Sequence, residues 1–109
     1  MSARIRYMRL LVFFDLPIET ASQRKSYRLF RKFLLKSGYI MVQESVYSKL
    51  AIDGKAVDVL ISKLKQNRPP EGLVQVLQVT EKQYAGMISI VGDALDKGEI
   101  VSTDTLVVL

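Results

Sequence analysis

Asp15 closes the run "RLLVFFDLP", in which five consecutive apolar residues, Leu10 to Phe14, lead straight into a carboxylate, with Pro17 two positions later. A run of that length and aromatic content suits a buried strand followed by turn chemistry. A carboxylate there has two readings. Asp commonly starts a turn by hydrogen-bonding to backbone just ahead of it. Alternatively, a rigid strand presents a charged group at its tip for metal or acid–base chemistry. The partner groups for such chemistry are few, because the chain has no histidine and no cysteine. Thiolate catalysis, disulfides and Cys- or His-based zinc sites are therefore excluded, and the usual general base near neutral pH is missing. A metal would rest on carboxylate, carbonyl and water oxygens, which favours magnesium, manganese or calcium.

A second constellation is basic. In "QRKSYRLFRKFLLK", a projection at about 100° per residue puts Tyr27, Phe30, Phe33 and Leu34 in one arc. Arg24, Lys25, Arg28, Arg31, Lys32 and Lys36 fall in the other, with Leu35 as an exception. The segment has no acidic residue to form i,i+4 pairs, so its cations repel one another uncompensated. Such a face suits phosphates better than plain solvent. Charge along the chain agrees: residues 1–50 hold ten Lys/Arg against Asp15, Glu19 and Glu44, a local +7. Residues 51–109 hold six against eight, a local −2, and the whole carries +5. A polyanion partner on one surface is the expectation.

The elements that position these groups follow from pattern. Arg6 to Phe14 reads as the first strand, "QRKSYRLFRKFLLKSG" as a helix stopped at Gly38, and "YIMVQESVYSKL" as a second strand interrupted near Gln43-Glu44. Asp53-Gly54 turns into a helix with Val57, Leu60, Ile61 and Leu64 on one face, which "NRPPEG" breaks. "LVQVLQV" alternates as a further strand, "TEKQYAGM" reads as a capped helical turn, "ISIVG" as a short strand and "TLVVL" as the last one. The order predicts an α+β ferredoxin-like βαββαβ sandwich with an additional C-terminal strand. At 109 residues it is one domain, 1–109, in which 92–109 supplies loop and strand for dimer and partner contacts. "TLVVL" is apolar with no charge to guard its edge, which argues for exchange in a homodimer. No stretch has the length or character of a signal peptide or membrane span, and with no cysteine a cytoplasmic location is expected.

The ordered series "VFFDLP", "RKSYRLFRKFL", "GYIMVQESVYSKL" and "VTEKQYAGM" resembles the CRISPR-associated Cas-two family of spacer-acquisition proteins, the type II branch most closely. The resemblance covers essentially the whole chain. It implies a homodimer that binds double-stranded prespacer DNA and bridges two dimers of the Cas-one integrase. Arg24, Lys25, Arg28, Arg31 and Lys32 are then the expected phosphate contacts, with Arg6 and Arg9 secondary, and the acidic segment from Asp93 is expected to meet the integrase. The resemblance also implies an alternative: a magnesium-dependent endonuclease acting on single-stranded RNA or double-stranded DNA. In such relatives the strand-end aspartate, here Asp15, is metal ligand and catalytic residue, and it meets its symmetry mate across the dimer. The chain departs from that pattern at Phe14, where many relatives carry Tyr, and at Met41, where many carry Arg. An RNA-recognition module is disfavoured, since its paired aromatic stacking signature is absent.

Overall fold

The computed structural model describes residues 7–92. Four strands form one antiparallel sheet: β1 (Met8–Asp15), β2 (Ile40–Gln43), β3 (Val46–Ala51) and β4 (Leu73–Thr80), in the spatial order β2-β3-β1-β4. Helix α1 (Ala21–Lys36) joins β1 to β2, α2 (Gly54–Gln66) joins β3 to β4, and a single turn, α3 (Glu81–Ala85), follows β4. The architecture is α+β and ferredoxin-like. β1 lies at its centre, paired along its length with both β3 and β4.

Alternation along β1 divides its side chains. Leu10, Val12 and Phe14 join the core with Phe30 and Leu34 of α1 and Val57 and Leu64 of α2. Phe14 is the hub, with the rings of Phe30, Tyr47 and Tyr27 at 5.3, 5.7 and 5.9 Å. Arg9, Leu11, Phe13 and Asp15 take the opposite face, which the two long helices leave uncovered. Its exposed apolar side chains include Phe13, Leu50 and Leu77. Each long helix starts on a side-chain cap. Thr20 Oγ1 accepts from the Gln23 amide at 3.0 Å while the Gln23 side chain accepts from the Thr20 amide at 2.9 Å, and Asp53 caps α2 through the Ala56 amide. After α1, Gly38 takes φ +92°. The Tyr39 amide then bonds back to the Leu34 carbonyl, the stop expected at this glycine.

Three expectations need correction. β1 begins at Met8 among the described residues, and it ends at Asp15, in register with Leu73, rather than at Phe14. The pairing partner on β4 extends the strand by one residue beyond the apolar run. "ISIVG" is no strand here: among the described residues Ile88 to Gly92 have no ladder partner, and Ile88, Ile90 and Val91 stand 79%, 87% and 91% exposed. A β pattern alone forms no strand without a neighbour to bond. Arg6, the closing "TLVVL" strand and the acidic segment from Asp93 lie outside the described residues. Among the described residues no helix is long and apolar enough to cross a membrane.

Candidate nucleic-acid interface

The tip of β1 is held by backbone on both sides. The Phe14 amide donates to the Ser45 carbonyl at 3.1 Å, and on the other edge Asp15 pairs with Leu73. Gly72, at φ +98°, lets β4 come this close, since a Cβ there would lie 2.8 Å from the Asp15 carbonyl oxygen. Asp15 is exposed and borders an open groove of about 450 Å³ between the β1 tip, the β2–β3 turn and the first two turns of α1. Arg24, Arg28 and Tyr27 line it from the helix, and Glu44 and Ser45 from the turn. The structure thus brings Asp15 of β1 together with Arg24 and Arg28 of α1, residues singled out from the sequence in two separate constellations. Glu44, Ser45 and Tyr27 are groove residues that sequence reasoning did not assign. The turn at Gln43-Glu44 was legible, but only the tertiary packing shows which groove it borders.

The remaining cations extend this groove along the helix. Spacings of four and three set Arg24, Arg28 and Arg31 in one exposed row, with Lys25, Lys32 and Lys36 in the row beside it. Over 16 residues, α1 presents a basic face about 24 Å long. Lys25, Arg31 and Lys32 are exposed but stand outside the groove itself. Arg24 has a local duty as well: its Nη1 donates to the carbonyls of Ile18 at 3.1 Å and Glu19 at 3.0 Å, bracing the loop ahead of the helix. Arg28 and Arg31 have no side-chain hydrogen bond or ion pair among the described residues, which leaves their full donor forks for phosphate.

Arg9 does not fit the phosphate-binding expectation. Its Nε and Nη2 donate to Glu81 Oε1 and Oε2 at 2.9 and 2.6 Å, and its Cζ stands 4.4 Å from the centre of the Tyr84 ring. The hydrogen bond to Glu81 raises the Arg9 pKa, and the same bond lowers that of the Glu81 carboxyl. The register explains the contact: antiparallel pairing of β1 with β4 sets Arg9 opposite Val79, two residues before Glu81.

A magnesium ion needs more oxygen ligands than this site offers in one chain. Asp15 stands exposed with Glu44 as the other carboxylate on the groove, and no group of three or more Asp or Glu side chains able to hold a metal occurs among the described residues. The residues of a single chain do not fit the ion. Phe14 explains itself by packing: its ring is buried among three others, where a phenolic hydroxyl would need a partner. Met41, by contrast, is exposed on edge strand β2, so nothing in the fold bars a cation there.

Residues 8–87 match the family described as "CRISPR associated protein Cas2". The chain is 51% identical over 102 residues to a "CRISPR-associated endoribonuclease Cas2" of Treponema denticola, covering 94% of this chain and 99% of that one. Proteins given the same description in Streptococcus mutans serotype c and Acidovorax ebreus are 51% and 48% identical over 86 and 85 residues. These alignments cover 79% and 78% of this chain, and 79% and 83% of the relatives.

Proposed function

This chain belongs to the CRISPR-associated Cas2 family, and we propose that it serves there as a homodimeric adapter in spacer acquisition. In this role it holds a double-stranded prespacer and bridges two dimers of the Cas-one integrase in the cytoplasm. The observation that carries the reading is the exposed arginine row of α1 running into the groove beside Asp15. Phosphate contacts from such a row fix a duplex in place without reading its bases. The second copy has a surface to meet: the uncovered sheet face with Phe13, Leu50 and Leu77, and β4, which pairs only with β1 among the described residues. Two copies also double the basic face and place two grooves along one duplex.

Duplex binding followed by fluorescence anisotropy tests this. Replacing Arg28 and Arg31 by Ala is expected to weaken binding to all sequences alike and to flatten the salt dependence, by about 2 to 4 units of slope for a dimer. Binding that keeps its affinity and slope in this variant would sink the adapter reading.

A second reading draws on the printed description of the relatives as endoribonucleases and on Asp15 at the strand tip. It makes the protein a nuclease in which two Asp15 carboxylates meet across the dimer and share a magnesium ion. Asp15→Asn is then expected to abolish cleavage of single-stranded RNA while leaving the oligomer intact. Robust cleavage by the variant would eliminate this reading.

A further inference from the structure

The groove at the β1 tip carries more than a phosphate needs. Arg24 and Arg28 border it from α1, while Asp15 and Glu44 border it from the strand end and the β2–β3 turn. Two cations thus share a groove with two carboxylates, yet none of the four pairs with another: the ion pair among the described residues is Arg9 with Glu81. The Arg24 guanidinium turns instead to the Ile18 and Glu19 carbonyls. Opposite charges that line one open space without closing on each other leave it to a ligand that meets both. Tyr27 borders the same space, half-buried, with its ring edge-on to Phe14 at 64° and 5.9 Å between centroids. That contact with the core holds the plane of the ring. At about 450 Å³ the space lies inside the range of roughly 300–1,000 Å³ found for small-ligand sites.

Charge separates the ligands that such a groove takes. A bare phosphate meets the arginines but is repelled by Asp15 and Glu44, and a divalent cation meets the carboxylates but is repelled by the arginines. A nucleotide with an unpaired base brings both contacts: a phosphate for a guanidinium, N–H donors for a carboxylate, and a flat ring for Tyr27. A paired base does not, because its donors are already bonded to the opposite strand. Guanine suits a carboxylate best among the DNA bases. Its N1–H and N2–H donors stand side by side, and a carboxylate offers two acceptors and no donor. Thymine has one N–H between two carbonyls, and adenine and cytosine set their amino group beside an acceptor nitrogen that a carboxylate repels. We propose that the groove is a base-selective site for an unpaired guanine nucleotide of a DNA strand. Glu44 accepts from the base edge, Tyr27 stacks on the ring, and Arg28 holds the adjoining phosphate. Glu44 is the acceptor because it stands on the turn with the longer side chain, whereas Asp15 is tied into the sheet beside Leu73. The row of Arg31, Arg28 and Arg24 leads into the groove, so a strand held along α1 by its phosphates delivers an unpaired end there. The inference rests on the nucleic-acid reading above and adds to it a place where sequence is read.

The test is fluorescence anisotropy in EDTA with labelled thymidine pentanucleotides that carry guanine, adenine, cytosine or thymine at the third position, beside a labelled blunt duplex. Wild type is compared with Glu44→Gln and with Glu71→Gln, which makes the same change of charge outside the groove. Wild type is expected to bind the guanine pentamer about tenfold or more tighter than the other three. Glu44→Gln exchanges one acceptor for a donor, so the ratio is expected to fall to within about twofold of unity while the thymine pentamer binds no more weakly. Glu71→Gln keeps the wild-type ratio. Selectivity that survives in Glu44→Gln overturns the proposal, and so does selectivity that arises only when magnesium is added, since the ion is then the contact. Duplex binding with equal affinity for all four pentamers overturns the base site and leaves the adapter reading standing. A wild type that binds neither duplex nor pentamers overturns both.

Discussion

Asp15 owes its position to its neighbours' backbones, and the residue that permits this is Gly72. Its positive φ and the 2.8 Å approach of a Cβ to the Asp15 carbonyl oxygen leave no room for a side chain. Gly72→Ala is therefore expected to destabilise by about 2 kcal/mol or more, read from chemical denaturation. Tyr39 gives a second prediction at this scale. Its hydroxyl is buried without a hydrogen-bond partner among the described residues, and burial pushes its pKa up to about 12. The unfolded phenol ionises near about 10, so between there and 12 the unfolded chain holds fewer protons than the folded one. Stability then falls as pH rises through that window, by at most about 1.4 kcal/mol per unit relative to a variant without the hydroxyl. Tyr39→Phe is expected to lose that slope and to be no less stable at neutral pH, because an unsatisfied hydroxyl leaves the core. Equal slopes in the two proteins would contradict the assignment. Asp15 itself was legible in the sequence as a strand-end carboxylate. Gly72 was not, because a close approach between segments 57 residues apart leaves no local pattern.

At the scale of elements, the sequence spoke clearly wherever period and caps agreed. In α1 the apolar arc became the buried contact through Phe30 and Leu34, and the basic arc stayed exposed from Arg24 to Lys36. Its expected start, at Gln23, is too late: the helix begins at Ala21, because Thr20 and Gln23, three apart, close a capping box. Thr20→Ala is expected to lower stability by about 1 kcal/mol in thermal melts, with little effect on nucleic-acid binding. The interruption at Gln43-Glu44 was readable too, and it separates β2 from β3 with a shifted register between Met41 and Gln43. "ISIVG" misled for the opposite reason. Its alternation satisfies a strand, but a strand exists only with a neighbour, and none of the described strands takes it. Arg9, ranked second as a phosphate contact, sits on central β1 and is matched there by Glu81 of the acidic half.

For the whole molecule, charge asymmetry and fold point the same way. The basic half contributes α1, and among the described residues the sheet leaves one apolar face and the outer edges of β2 and β4 uncovered. Association through that face leaves both α1 helices, which pack on the other side of the sheet, free for a polyanion. The account therefore predicts that dimer formation and duplex binding respond to different substitutions. Removal of Arg28 and Arg31 weakens the second and leaves the first unchanged. The most direct test is a gel-shift titration with an end-labelled DNA duplex at rising salt, in which cleavage would appear on the same gel. Wild type, Arg28→Ala/Arg31→Ala and Asp15→Asn are compared with magnesium present. The adapter account predicts an intact duplex throughout, steep salt dependence in wild type and Asp15→Asn, and a weaker, flatter response in the arginine variant. Unchanged binding by the arginine variant, together with cutting that disappears in Asp15→Asn, would contradict it and leave a nuclease.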